Sequence, residues 1–161
     1  MHPFPLLAEF ELIAPEDLSP AQNIAVDRLP GQGGIGIASD RELDAVVTTA
    51  GHVVAGLWTS WRADRFTFDV VVVPQAKGRG IAKYLPARAL NDFNDTREAY
   101  ADAHMVIHVV NPAMRHLLES HFGFSVALTR GRDHWEMIPT TNNAGAVFIP
   151  KPEEIQDALA A

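Results

Sequence analysis

Residues 66–85 read FTFDVVVVPQAKGRGIAKYL and join a buried strand to a glycine-rich turn and then to a helix. The β-branched and aromatic residues from Phe66 to Val73 predict a strand, which Pro74 ends. Gly78 and Gly80 let the backbone approach a ligand closely, because glycine has no Cβ. The first turn of the following helix carries unpaired N–H donors and the positive end of the helix dipole. This order of elements therefore predicts an anion-binding site.

Two cations, Lys77 and Arg79, stand within the same turn. A cation at a helix N-terminus opposes the helix dipole, so the pair favours an anionic guest such as a phosphate or a pyrophosphate. A P-loop is a poor match, because that motif needs a longer glycine spacing and a terminal Lys-Ser or Lys-Thr. A tight strand-to-helix turn without a ligand is the structural alternative.

A second strand, helix and strand follow further along the chain. The apolar, branched run His104–Val110 predicts a strand that ends at Asn111-Pro112. Pro112 suits the first turn of a helix, which we expect to run to about His121. Gly123 can cap that helix in a left-handed conformation, and Phe124–Leu128 predicts the next strand.

These two segments resemble the two characteristic stretches of the GNAT N-acetyltransferase family, in the same order and at a similar distance. The first family motif is Arg or Gln, two residues, Gly, one residue, then Gly or Ala, and it fits residues 75–80 or residues 77–82. The second register is preferred, although Lys stands at its first place. It keeps Pro74 at the family's usual distance and puts Ile81 and Leu85 on core positions of the helix.

The resemblance implies the GNAT fold, of class α/β (α+β): a mixed, mostly antiparallel central sheet, splayed between two strands and flanked by helices. Apolar runs at Glu42–Ala50 and His52–Trp61, separated by Gly51, predict a hairpin. A polar turn at Thr129–His134 precedes a last predicted strand at Trp135–Ile138. Within the helix that follows the glycine turn, a proline at position 86 predicts a kink.

The domain organisation follows from length and from the extent of the resemblance. We expect a single domain over residues 1–138, of which 41–138 match the family, and a C-terminal extension over 139–161. A short helix is expected from Ser19-Pro20 toward Asp27, and Leu29–Gly34 is expected to be a flexible break.

Acetyl-CoA is the co-substrate that the resemblance implies. Backbone N–H groups of the glycine turn would hold its pyrophosphate and the two cations would neutralise it. Main-chain groups at the end of the preceding strand would contact the pantetheine arm, and Asn111 would position the CoA end of the second motif. The implied cofactor-binding residues are Val72, Val73, Lys77, Gly78, Arg79, Gly80, Ile81, Ala82 and Asn111.

Direct acetyl transfer needs a base for the amine, donors for the developing oxyanion and an acid for the thiolate. Asp69 interrupts an apolar strand, where a charge is costly unless it is paired or faces a cavity. It is a candidate base or acceptor-binding carboxylate, or else a structural partner of an arginine or of the backbone. His108 breaks the next strand and is a second candidate base, or else a hydrogen-bonded core histidine.

The acid is harder to assign, because the family's tyrosine on the helix before Gly123-Phe124 is missing. Counting back from Gly123-Phe124 puts Glu119 at that position, and counting forward from Asn111 puts Leu118 there. Ser120 or a water molecule could substitute, although Ser120 is also an ordinary polar residue for a helix surface.

The composition excludes several classes of protein. The 161 residues, 47% of them hydrophobic, suffice for one core. The absence of cysteine excludes disulfides, a thiol nucleophile and a cysteine-zinc site, and the spacing of His116 and His121 is poor for a shared metal, so no metal is predicted. A net charge of −7 argues against binding to nucleic acid. No stretch suits a membrane span or an export signal, so a cytoplasmic protein is expected.

Two functional hypotheses follow. In the first, the protein is an acetyl-CoA-dependent N-acetyltransferase that acts on a primary amine of a small molecule or a protein. In the second, it is a GNAT-shaped binding or structural module without turnover that acts through a protein partner. The intact glycine turn favours the first, and the missing tyrosine and the C-terminal extension favour the second. Family members are often dimers, so a homodimer is one expected assembly.

Overall fold

The computed structural model describes residues 9–33, 42–62, 65–96 and 104–140, and within these ranges it contains eight strands and three α-helices. Their bounds, in chain order, are β1 (Phe10–Ile13), α1 (Pro20–Gly33), β2 (Glu42–Thr48), β3 (Val53–Arg62), β4 (Arg65–Val72), α2 (Ile81–Thr96), β5 (His104–Met105), β6 (Ile107–Val109), α3 (Pro112–His121), β7 (Ser125–Gly131) and β8 (His134–Ile138). None of these helices combines the length and the apolar character needed to cross a bilayer.

The strands form a five-stranded sheet in the order β1-β2-β3-β4-β5 and a three-stranded sheet in the order β6-β8-β7. Every pairing is antiparallel except that of β4 with β5, which is parallel. The predicted hairpin of β2 and β3 is present, and Gly51 at its turn has a φ of 88°. This mixed, mostly antiparallel sheet with flanking helices confirms the predicted fold class.

The two sheets part between β4 and β6. β5 pairs with β4 through Arg65 opposite His104 and Phe66 opposite Met105, and the N–H of Val106 then donates to the carbonyl of Phe66 at 3.3 Å. From Ile107 onward the chain pairs with β8 instead. The single strand expected from His104 to Val110 is therefore two short strands, because the chain changes partner at Val106. The predicted splay of the sheet is confirmed.

Helices cover both faces of the five-stranded sheet. α2 and α3 share the larger core, where Phe66 and Phe68 of β4 are buried. α1 covers the opposite face, where Val71 of β4 is buried. Because side chains alternate along a strand, β4 contributes to both cores.

The first helix begins as expected and ends later than expected. Ser19 Oγ accepts from the N–H of Gln22 and Gln22 Oε1 accepts from the N–H of Ser19, which is a reciprocal capping box. The flexible break expected at Leu29–Gly34 is wrong over its described part, since α1 continues to Gly33. Leu29 is 1% exposed and packs with Val26 in the second, smaller core between α1 and the sheet. Burial there outweighs the poor helix propensity of the proline and glycines that follow.

Smaller differences concern the sheet edges. The polar turn expected at Thr129–His134 is too long, because β7 extends to Gly131 and the turn narrows to Arg132-Asp133, with Asp133 at a φ of 54°. β1 was not expected from the sequence. α2 continues through Pro86, and the kink stays a prediction. Most of the extension predicted over 139–161 lies outside the described residues.

Candidate functional site

A cleft of about 410 Å³ opens where β4 and β6 separate. Its walls come from the second half of β4 on one side and from β6 and the start of α3 on the other. The glycine turn and the first residues of α2 close one end. The lining includes Phe68, Asp69, Val72, Lys77, Gly78, Gly80, Ile81, Ala82, His108, Asn111, Met114, Leu117 and Leu118.

The glycine turn owes its shape to backbone angles that favour glycine. Gly78 and Gly80 have φ values of 82° and 80°, a left-handed region that costs an L-residue about 1–2 kcal/mol. A Cβ on Gly78 would meet no atom within 4 Å, so the backbone angle and not the available space calls for glycine there.

Helix α2 directs its N-terminus at the cleft. The carbonyl of Gly80 accepts the first intrahelical bonds, from the N–H groups of Lys83 at 3.1 Å and Tyr84 at 3.0 Å. The N–H groups of Ile81 and Ala82 therefore precede the helical ladder, at the positive end of the dipole. Both residues line the cleft, which makes its closed end suited to an anion.

The buried face of α2 agrees with the preferred motif register. Ile81 and Leu85 are 1% and 0% exposed, and both belong to the larger core. Burial of these two side chains holds the helix start rigidly against the sheet, so the glycine turn has a fixed position relative to β4.

The two cations of the turn have different surroundings. Lys77 is exposed and lines the cleft. Arg79 lies outside the cleft lining, and its Nη1 donates to Oε1 of Glu9 at 2.6 Å. Of the two predicted partners for an anion, the structure brings only Lys77 to the cleft.

Among the remaining predicted cofactor residues, some line the cleft and one does not. Val72 lines the cleft, whereas Val73 lies outside the lining and donates its N–H to the carbonyl of Val54 at 2.9 Å. Asn111 lines the cleft and its Oδ1 accepts from the N–H of Ala113 at 2.8 Å, which caps α3.

The two predicted bases lie on opposite walls of the cleft. Asp69 is half-buried on β4 and is the register partner of Trp58 on β3. His108 lies on β6 between two buried residues, and its side chain is 47% exposed. Oε1 of Glu136 lies 3.7 Å from Nε2 of His108. Both candidates line the cleft.

Glu136, on β8, is a residue that the sequence did not point out. Arg130 donates to its Oε1 from Nη2 at 2.6 Å and from Nε at 2.9 Å. The hydrogen bond from Arg130 holds the pKa of Glu136 below its usual range, against an opposing effect of burial. Alternation with the buried Trp135 and Met137 places Glu136 on the outer face, but its pairing with His108 depends on strand register.

The predicted acids on α3 lie away from the cleft. Glu119 is exposed, and its Oε1 accepts from Nε of Arg115 at 2.8 Å. Ser120 is exposed, and its Oγ lies 3.4 Å from Nδ1 of His116. Leu118, the position reached by counting forward from Asn111, lines the cleft with Leu117 and Met114, so this wall is apolar.

A charged cluster joins α2 to β2 outside the cleft. Nε of Arg88 donates to Oδ2 of Asp44 at 3.1 Å, and both side chains are about one quarter exposed. Burial raises the pKa of Asp92, one turn further along α2, while Arg88 acts in the opposite direction. Within the described ranges, no group of three His, Asp or Glu side chains is placed to hold a metal ion.

Comparison by sequence finds no matching family model and no matching curated protein. Comparison by structure finds spermidine N-acetyltransferase from Vibrio cholerae in complex with CoA and spermine, at 17% identity and a TM-score of 0.54, over 81% of this chain and 95% of that one. It also finds the ribosomal-protein-S18-alanine N-acetyltransferase of Escherichia coli, at 16% identity and a TM-score of 0.59, over 83% of this chain and 97% of that one. A GCN5-related N-acetyltransferase from Sphaerobacter thermophilus matches at 21% identity and a TM-score of 0.59, over 76% of this chain and 45% of that one.

At these identities the likeness concerns the fold. The chain has the fold of the GNAT, or GCN5-related, N-acetyltransferases, and the fold that the two sequence motifs implied is confirmed.

Proposed function

We propose that this protein binds acetyl-CoA in the cleft between β4 and β6 and transfers the acetyl group to a primary amine of a small molecule or a protein. One observation carries the proposal: the left-handed turn at Gly78 and Gly80 and the N-terminus of α2 lie at the end of the cleft. An end suited to an anion and a cleft with an apolar wall beyond it would fit the two halves of CoA, the pyrophosphate and the pantetheine arm.

The pyrophosphate would bind to N–H groups from Gly78 through Ala82, with Lys77 supplying a positive charge. The pantetheine arm would lie along β4, near Val72. Beyond Phe66, β4 pairs with β3 on one edge, and its other edge borders the cleft. Backbone N–H and C=O groups on that edge can hydrogen-bond to the amides of pantetheine as a neighbouring strand would.

The acetyl group would pass directly from sulfur to nitrogen. The chain has no cysteine, so no covalent thioester with the protein is available. The acceptor ammonium loses a proton, and the neutral nitrogen then attacks the carbonyl carbon. The C–N bond forms, the C–S bond breaks, and the thiolate of CoA leaves. Asp69 and His108, which line opposite walls of the cleft, would bind or deprotonate the amine.

The second hypothesis, a module without turnover, has one observation in its favour. The α3 wall presents Leu118 to the cleft, whereas Glu119 and Ser120 lie outside it. Leaving-group protonation would then rely on water. An ordinary thiol has a pKa of about 8.5, so its thiolate is a good leaving group near neutral pH. Turnover is therefore compatible with an α3 wall that carries no acid.

Turnover can be measured through release of CoA, detected with a thiol-reactive dye. The protein has no cysteine and gives no background signal. The acceptor panel includes spermidine and a peptide with an N-terminal alanine, the acceptor types named for the structural neighbours. Amine-dependent release of CoA supports the enzyme. Binding of acetyl-CoA without release with any amine supports the module. The cytoplasmic location and the homodimer stay predictions.

A further inference from the structure

His108 and Glu136 form a pair on the outer face of the three-stranded sheet. They are register partners on the antiparallel strands β6 and β8, so their side chains share a face. Nε2 of His108 lies 3.7 Å from Oε1 of Glu136, within ion-pair range and beyond hydrogen-bond length. His108 lines the cleft, whereas Glu136 lies outside its lining.

Glu136 is held in place independently of His108. Its side chain is only 18% exposed, and Arg130 of β7 donates to it from two nitrogens at 2.6 and 2.9 Å. Much of the energy of an ordinary surface ion pair is offset by the entropy cost of holding two side chains in one geometry. That cost is smaller for a carboxylate that is already fixed, so Glu136 can stabilise a positive charge that forms on the neighbouring imidazole.

We infer that Glu136, fixed by Arg130, is a positioning residue for His108 in removing the acceptor's proton, an inference that rests on the proposed function. His108 accepts a proton from the acceptor ammonium and becomes an imidazolium beside the carboxylate. The neutral amine attacks the thioester, the C–S bond breaks, and the thiolate and one further proton leave. The imidazolium returns its proton to water, so one CoA thiol and one proton accompany each amide formed.

Other charged groups surround His108 on each neighbouring element. On β8, the ring of His134 lies with its centroid 6.0 Å from that of His108. Asp69 stands across the cleft on β4. Arg130 and Arg65 are positive charges that act on Glu136. Because both signs are present, the effect of Glu136 must be isolated by removing it alone.

A double-mutant cycle in acetyl transfer isolates that effect. His108→Gln is expected to lower kcat by about 100-fold. Glu136→Gln is expected to lower kcat by about tenfold in the wild-type background and to have no further effect in the His108→Gln background. Glu136→Asp, which keeps the charge, should recover part of the loss. Glu11→Gln, an exposed carboxylate on the far edge strand β1, is the matched control.

The division between catalysis and binding supplies a second measurement. Glu136 lies outside the lining of the cleft, so Glu136→Gln should lower kcat and leave the Kd of acetyl-CoA unchanged, and Glu11→Gln should change neither.

The outcomes separate this inference from the proposed function. A loss of equal size from Glu136→Gln in both backgrounds indicates a structural role and overturns the inference alone. A His108→Gln variant with full activity does the same. A wild-type protein that releases no CoA with any amine of the panel overturns the proposed function, and the inference falls with it.

Discussion

Asp69 and His108 occupy equivalent positions on the two strands that separate to form the cleft. Each lies four residues after a member of the parallel pair Arg65 and His104, where β4 and β5 are still joined. Residues level with each other in parallel strands share a face. Both side chains therefore belong to the same side of the parted sheet, one on each wall, and under the proposed function an acceptor amine that enters from this side would meet both.

This arrangement predicts different roles for the two side chains. Asp69→Asn should raise KM for a cationic amine by about tenfold, because a charge-assisted contact is lost, with a smaller change in kcat. The Kd of acetyl-CoA should stay unchanged. Steady-state kinetics at saturating acetyl-CoA and calorimetry check these values. A fall in kcat larger than that of His108→Gln would instead identify Asp69 as the base.

The two cations of the glycine turn should differ in their effect on acetyl-CoA binding. Lys77→Gln should weaken binding about fivefold, and the remaining affinity should depend less on salt, because this side chain lines the cleft. Arg79→Gln should have a smaller effect, since Arg79 is engaged by Glu9. Calorimetric titration at two salt concentrations compares them. A larger loss from Arg79→Gln would mean that its guanidinium leaves Glu9 to bind the anion.

Asp92 should reduce stability near neutral pH. Burial raises its pKa above the ordinary value of 3.8, so the native state holds this proton to a higher pH than the unfolded state. Stability therefore falls as pH rises through the interval between 3.8 and the raised pKa. Asp92→Asn should raise Tm at neutral pH more than it does in acid. Asp95→Asn, at an exposed site on the same helix, is the control, and a lower Tm for Asp92→Asn at neutral pH would contradict this reasoning.

The late end of α1 predicts a contrast within one helix. Leu29→Ala should lower the free energy of unfolding by about 3 kcal/mol, because Leu29 is 1% exposed in the core beside β4. Ile24→Ala should change it by less than about 0.5 kcal/mol, since Ile24 is 55% exposed. Chemical denaturation measures both. Equal and small effects would mean that the helix is not packed beyond Asp27.

The contrast also shows which parts of the fold the sequence could predict. The strand before the glycine turn, the turn itself and the start of α3 at Pro112 are specified by neighbouring residues, and all three were predicted. The extent of α1 was not, because the proline and glycines after Leu29 indicate a break while burial of Leu29 depends on strands far along the chain. Local propensity was outweighed by tertiary packing.

The candidate site also combines local features with contacts between distant residues. Gly78 and Gly80 could be predicted, because the need for a left-handed backbone follows from neighbouring residues. The engagement of Arg79 by Glu9 and the fixing of Glu136 beside His108 join residues that are distant in sequence. Such contacts follow from strand register, which a single sequence does not specify.

The central claim is that the cleft binds acetyl-CoA through the glycine turn, and calorimetric titration of the folded protein tests it most directly. The wild-type protein should bind with micromolar affinity, and Gly80→Glu should abolish binding because its side chain occupies the pyrophosphate position. Gly51→Glu is the matched control, since Gly51 has a φ of 88° and lies at the distant β2–β3 turn. It should carry the same backbone strain and bind normally. No binding by folded wild-type protein, or binding unaffected by Gly80→Glu, would contradict the claim.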